Sequence, residues 1–154
     1  MLTLLKNDDA VVKPRLPPGK KRMAALLVRF WEGELELVRL VEWAIFSCKD
    51  VAIVSRLFVH GAVCRAAATR CQHRTTALGV PFRPVARISK LPDDLPSVLW
   101  LVAWAAEAAR DRSSELADLS RKEGDLSTAW VGDLNRIEKD DMVREIRKML
   151  EGLA

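Results

Sequence analysis

Three side chains in the first half of the sequence have types and positions that could bind a metal ion. His60 and Cys64 lie four residues apart, so a helix places both on one face within reach of one ion. Glu34 falls in the apolar stripe of an earlier predicted helix, where an ionised carboxylate needs a partner. Glu34, His60 and Cys64 are therefore the candidate metal ligands. The alternative is that His60 and Cys64 are packed core residues.

A second set of residues has the pattern of a protein-interaction surface. Trp100 and Trp104 share one helical stripe with Glu107 and Asp111, and further carboxylates continue it. Aromatic anchors dominate many interfaces, so this stripe would suit a basic partner. In the alternative interpretation, the stripe is solvated or pairs with three arginines of the preceding helix, Arg56, Arg70 and Arg74.

Motifs for several familiar chemistries are absent from the sequence. It contains no P-loop, no glycine-rich dinucleotide fingerprint, no Cys-x-x-Cys pair and no His-Glu-x-x-His. Ser97, Ser113, Ser114 and Ser127 have no histidine nearby in sequence, so nothing favours nucleophilic catalysis by them. The sequence leaves catalytic activity open but favours a non-enzyme without a cofactor.

The charge of the chain is divided unequally between its two halves. Residues 1–90 hold 16 Lys or Arg and seven Asp or Glu, whereas residues 91–154 hold nine and 14. This asymmetry predicts either two oppositely charged layers that face each other or an anionic partner such as nucleic acid. Such a partner would contact residues 13–22 and the interface candidates Arg56, Arg70 and Arg74. Residues 1–20, which are basic and rich in proline, are predicted to form a flexible arm; residues 21–154 form one helical domain.

The apolar periodicity predicts helices at about 21–47, 51–78 and 95–121. A fourth helix begins at Asp125 or Ser127, and Asp140-Asp141 indicates a fresh cap before a short last helix. The proline-rich residues 80–92 suit a crossover between non-adjacent ends of a bundle. The first half of the third helix is apolar all round, so we expect it to be enclosed. The fold class is therefore an all-α four-helix bundle.

The order of these elements resembles ferritin-like four-helix-bundle proteins of bacteria. The stretches that carry the resemblance are Glu32-Gly-Glu34-Leu-Glu36, the segment from Arg70 to Gly79, and the segment from Ala129 to Glu151. The resemblance implies an up-down layout and a di-iron or di-manganese centre with Glu-x-x-His motifs on two helices. Glu34 and His73 match two ligand positions, but Arg70 stands where the second motif needs a glutamate.

The other two helices also depart from the ligand pattern that the family implies. Neither Glu107 nor Glu138 has a histidine three residues later, and the second helix contains no carboxylate. We therefore expect a degenerate member without the metal pair, in which Arg70 acts as counter-charge to a buried acid.

The sequence predicts a non-catalytic helical bundle that binds another protein or associates with itself. The alternative function is a metal-binding or redox protein that uses Glu34, His60 and Cys64. The three cysteines and the lack of an export signal predict free thiols in the cytoplasm. The longest strongly apolar run, residues 98–106, is shorter than a membrane span, so we expect no membrane contact.

Overall fold

The computed structural model describes residues 16–80 and 90–154 of the 154-residue chain, and every regular element in these ranges is an α-helix. Helix α1 spans Pro18–Ser47, α2 spans Val51–Ala77, α3 spans Leu95–Lys122 and α4 spans Leu126–Leu153. The prediction of an all-α bundle is confirmed. Most of the predicted basic arm (1–15) and of the proline-rich connection (81–89) lies outside the described residues.

Side-chain caps determine where three of the four helices begin. The carboxylates of Asp50, Asp94 and Asp125 each accept a hydrogen bond from a backbone N–H in the first turn of the next helix. Helix α1 has no side-chain cap and begins at Pro18, three residues before the predicted start at Lys21. Proline is tolerated there because first-turn N–H groups have no partner within the helix.

The predicted break near the chain end is wrong, because α4 is one continuous helix across residues 126–153. Asp140 and Asp141 do not cap a new helix. Asp140 forms ion pairs with Arg110 of α3 and Arg136 of α4, and Asp141 pairs with Arg144 of α4. Carboxylates engaged by neighbouring arginines on the helix surface leave the backbone ladder intact.

The four helices form a square in which each helix contacts two others. Helix α1 packs on α2 and α3, and α4 packs on α3 and α2. The Trp43 indole N–H donates to the carbonyl of Pro92 (2.8 Å), so α3 begins where α1 ends. Arg74 pairs with Asp125, so α2 ends where α4 begins, at the opposite end of the bundle.

The inward stripes of the helices form one continuous apolar core. Its largest fully buried apolar side chains include Phe30, Leu99 and Ile146. The expectation that the first half of α3 is enclosed is wrong in part. Val98, Leu99 and Val102 are buried, but Trp100 and Trp104 on the opposite side of that turn are exposed.

Helix α2 is the most apolar long segment among the described residues. By length and composition it passes the test for a membrane span, and one third of its most apolar window is buried in the bundle. The sequence analysis looked for a span at 98–106 and missed this helix. A core helix of a bundle passes the same test, so the finding gives weak evidence for a membrane.

Candidate functional site

A fully buried ion pair lies at the centre of the bundle. Glu34 of α1 and Lys139 of α4 both have no exposed surface, and Lys139 Nζ lies 2.8 Å from Glu34 Oε2. The expectation that Glu34 needs a partner is therefore confirmed. Within the described ranges, neither side chain has a well-aligned hydrogen bond to any other group. Such a pair is costly to desolvate, so each charge depends on the other.

The protonation of this pair is set by burial and by mutual attraction. Burial raises the pKa of the Glu34 carboxyl from 4.5 to about 7, although the Lys139 ammonium opposes this shift. Burial also disfavours the charged form of Lys139, but the attraction of Glu34 outweighs it, so the pKa of Lys139 is raised. The pair therefore titrates as a unit, and its acid group changes charge near neutral pH.

The two buried cysteines lie close to this pair on α2. Cys64 Sγ is 3.7 Å from Met142 Sδ, and the Asn135 side-chain amide donates to Cys71 Sγ at 3.6 Å. Burial raises the pKa of both thiols to about 12. A buried, protonated thiol is a poor nucleophile and a poor metal ligand, so both cysteines behave as packed core residues.

Of the three candidate metal ligands, Glu34 and Cys64 lie next to each other, and Glu34 is paired with Lys139. His60 is engaged elsewhere, with its Nε2 atom 2.7 Å from Glu145 Oε2. The part of the chain that the structure describes contains no group of three or more His, Cys, Asp or Glu side chains that could hold a metal ion.

A di-iron or di-manganese centre, as the ferritin-like resemblance implies, does not fit the residues present. The ammonium of Lys139 lies against Glu34, where it would repel a metal ion. Arg70 pairs with Glu138 and donates to Asn135 (2.7 Å), so the second cation also uses a carboxylate that could serve as a ligand. The counter-charge to Glu34 is thus Lys139, and the acid that Arg70 pairs with is the largely buried Glu138.

Two further arginines of α2, Arg74 and Arg56, also pair with the segment that forms α4. Arg74 donates to Asp125 at 2.9 Å and to Thr128 at 2.7 Å, and Arg56 lies 3.9 Å from Glu145. The prediction that oppositely charged layers face each other is correct, but the acidic partners lie on α4 instead of the acidic stripe of α3. These arginines stabilise the α2–α4 contact.

The predicted interaction stripe on α3 faces outwards. Trp100 and Trp104 are 64% and 69% exposed. Glu107 pairs with Arg147 of α4, which removes it from the free surface, and Asp111 has only a neighbouring arginine, Arg110, at 3.4 Å. The stripe therefore presents two aromatic anchors, with the exposed carboxylate of Asp111 about two turns further along α3.

The sequence analysis missed an apolar surface on α2. Phe58 and Val59 are 60% and 62% exposed on the side of α2 that faces away from the bundle. The signal was present in the sequence, because Phe58, Ala62 and Ala66 recur at helical spacing opposite the stripe that contains Cys64. Helix α2 is therefore apolar on two sides, of which only one is covered.

The surface depressions that the structure shows are small and open. Two of them, of about 210 and 270 Å³, share Arg22 and Glu115 in their walls, where α1 meets α3. They lie far along the bundle from Trp100 and hold no clustered catalytic side chains. The polar groups described above are thus the buried Glu34–Lys139 pair and the ion pairs between α2 and α4. The two surfaces that face outwards are the tryptophan stripe of α3 and the apolar side of α2.

No protein-family model and no curated protein matches the chain.

Proposed function

We propose that this chain is a non-catalytic helical bundle that acts by binding another protein or a second copy of itself. The buried ionisable groups support this proposal, because Glu34, Lys139, Cys64 and Cys71 are packed against one another and no described pocket leads to them. A catalytic site needs reactive groups that a substrate can reach. In the described part of this chain, those buried ionisable groups are packed against one another, and the side chains without partners lie on the surface.

The single observation that carries the proposal is the exposure of Trp100 and Trp104 on the stripe of α3 that also carries the exposed carboxylate of Asp111. Large aromatic side chains contribute most of the binding energy at many interfaces, and nearby charges select a partner of opposite sign. The surface fits a basic segment of another protein. Arg56, Arg70 and Arg74, which were also candidates for the interface, are engaged with α4 and serve stability instead.

We also propose a ferritin-like layout from which the metal has been lost. The positions of the helix ends support it, because α2 ends at one end of the bundle and α3 begins at the other. A connection between those ends would be the proline-rich crossover predicted from the sequence. The free thiols of Cys48, Cys64 and Cys71 suit the cytoplasmic location that we propose.

Calorimetric titration of the whole protein with a short peptide of alternating lysine and leucine tests this function. We expect binding that weakens as salt is added, and a loss of about tenfold or more in affinity for the Trp100→Ala/Trp104→Ala double variant. Trp130→Ala is the matched control, because Trp130 is equally exposed but lies on α4. Equal affinity for the double variant and the wild type, or no binding at all, contradicts the assignment of this surface.

A further inference from the structure

Among the described residues, the outward side of α2 has charged side chains only at its edges, with Arg65 towards α1 and Arg56 and Arg70 towards α4. Nine exposed positions between these edges make up what we call the uncharged face: Val51, Ser55, Phe58, Val59, Ala62, Ala66, Thr69, His73 and Thr76. The acidic stripe of α3, by contrast, carries four carboxylates over a similar length. Phe58, Val59, Ala62 and Ala66 form an exposed apolar centre of this face, and exposed apolar patches mark macromolecular contacts.

We propose that the uncharged face is the contact between two copies of this chain, with α2 packed against α2 about a two-fold axis. This inference rests on the self-association that we propose as function, but it uses a surface separate from Trp100 and Trp104. In a two-fold contact each surface meets itself, so any charge near the axis lies opposite a like charge. A face without Asp, Glu, Lys or Arg avoids that repulsion, whereas the acidic stripe of α3 would not.

The shape of the face suits the close approach of two helices. Ala62 and Ala66 lie one turn apart at its centre, and small side chains let helix axes approach closely. Phe58 and Val59 lie on one side of these alanines and supply the apolar area that a partner would cover.

A charged pair borders the face on the side of α1. Glu42 of α1 pairs with Arg65 of α2, and both side chains remain more than half exposed. An ion pair of opposite signs at the edge of a two-fold contact can exchange partners between copies, which fixes orientation without placing a charge at the centre.

The available area matches what a stable dimer needs. Helix α2 has 27 residues and is about 40 Å long, so a strip about 10 Å wide provides about 400 Å². The face of α1 that carries Glu42 adds Leu35 and Phe46, both of which are exposed. A strip of the same width along the 30 residues of α1 would raise the total to about 800 Å² per copy, which is the size of a standard specific interface.

Light scattering during size exclusion, from micromolar to submillimolar protein, tests the proposal. We expect the full chain to have twice the 17.3 kDa mass of one copy, and the Ala62→Glu variant to have the mass of one copy. The Ala25→Glu variant is the matched control, because Ala25 is an exposed alanine on the outer side of α1. A wild type with the mass of one copy throughout, or a dimer that Ala62→Glu leaves unchanged, overturns the proposal.

Two further measurements separate this contact from other interpretations. An equal mixture of the Ala62→Glu and Ala62→Lys variants should recover the dimer mass, since opposite charges then meet near the axis. If it does not, a two-fold α2 contact is wrong. Wild-type protein that cosediments with phosphatidylglycerol vesicles and stays a monomer without them assigns the face to a lipid surface and also overturns the dimer. The Ala62→Glu monomer should still bind the basic peptide, so failure of the dimer leaves the function of α3 to be judged separately.

Discussion

Helix α4 makes two contacts of opposite character, one with α3 and one with α2. A Cβ atom added at Gly132 would lie 2.8 Å from the carbonyl oxygen of Ser113 and 2.9 Å from the amide nitrogen of Ala117, so the backbones of α3 and α4 nearly touch. On the other side, long polar side chains bridge α4 to α2, including Arg70 to Glu138 and His60 to Glu145. Helices α2 and α4 are correspondingly further apart along most of their length.

The difference shows two ways in which a sequence can fix the distance between helices. The α3–α4 contact depends on the absence of side-chain volume, so it tolerates almost no addition. The α2–α4 contact depends on charged groups that reach across, so it depends on complete pairing. The Glu34–Lys139 pair lies beside Cys64 at the inner edge of the second contact, where incomplete pairing costs the most.

The largest expected effect comes from removing one member of the buried pair. Lys139→Met leaves the Glu34 carboxylate buried without a counter-charge, which should reduce the free energy of unfolding by about 3–5 kcal/mol at pH 8. Urea denaturation followed by circular dichroism measures the change. The double variant Glu34→Gln/Lys139→Met should recover most of the loss, because no charge then remains buried. A double variant as unstable as Lys139→Met alone would show that packing, rather than charge, controls this position.

The pH profile of stability provides an independent readout of the same pair. The pKa of Glu34 is about 7 in the folded chain and 4.5 for the free carboxyl, so the folded state holds an extra proton between these values. Stability from this group is present in full below about pH 4.5 and is lost as the pH rises through 7. Glu34→Gln should remove that decline, and an unchanged profile would contradict the shifted pKa.

An intermediate effect is expected at the close contact of α3 and α4. Gly132→Ala places a methyl group against the backbone of Ser113 and should destabilise the protein by about 1–3 kcal/mol, despite the higher helix propensity of alanine. Gly152→Ala is the control, because an added Cβ there meets nothing within 4 Å. Thermal or urea denaturation of both variants measures the difference. If Gly132→Ala is as stable as Gly152→Ala, the two helices are not held by backbone proximity.

The smallest effects are expected when one arginine is removed from each contact, Arg70 from α2–α4 and Arg121 from α3–α4. Arg70→Met leaves the buried side chain of Asn135 and the largely buried Glu138 short of a donor, at a cost of about 1–3 kcal/mol. Arg121→Met removes the more exposed pair with Asp133 between α3 and α4, at a cost of less than about 1 kcal/mol. Urea denaturation of the two variants measures both costs. A larger loss for Arg121→Met would reverse our ranking of the two contacts.

The sequence predicted the helices well because the signals that start and pack them are local. Asp50, Asp94 and Asp125 stand directly before the helices that they cap, and the interruption of the apolar stripe at Glu34 indicated a buried partner. The identity of that partner could not be predicted, because Lys139 is 105 residues away in sequence and reaches Glu34 only through the packing of α1 and α4 in one bundle.

The errors arose where one local signal had two physical outcomes. Asp140-Asp141 is typical of a cap, but arginines on α3 and α4 engage both carboxylates, and the helix continues. The apolar run that contains Trp100 and Trp104 suggested enclosure, although a square bundle covers only the inward side of each helix. The outer side of α2 is the opposite case, because its apolar residues were not predicted to form a surface and yet are exposed.

The carboxylate of Asp125 takes part in two contacts, one that caps α4 and one that joins α4 to α2. One of its oxygens receives the Thr128 backbone N–H and starts α4, while the other receives the Arg74 guanidinium at the end of α2. The turn at which α4 is initiated is therefore also the turn that sets its register against α2. A shift of α1 and α2 by one helical turn against α3 and α4 would break the Arg74 contact while the cap at Thr128 remained, so the Asp125 side chain sets the alignment of the two halves of the chain.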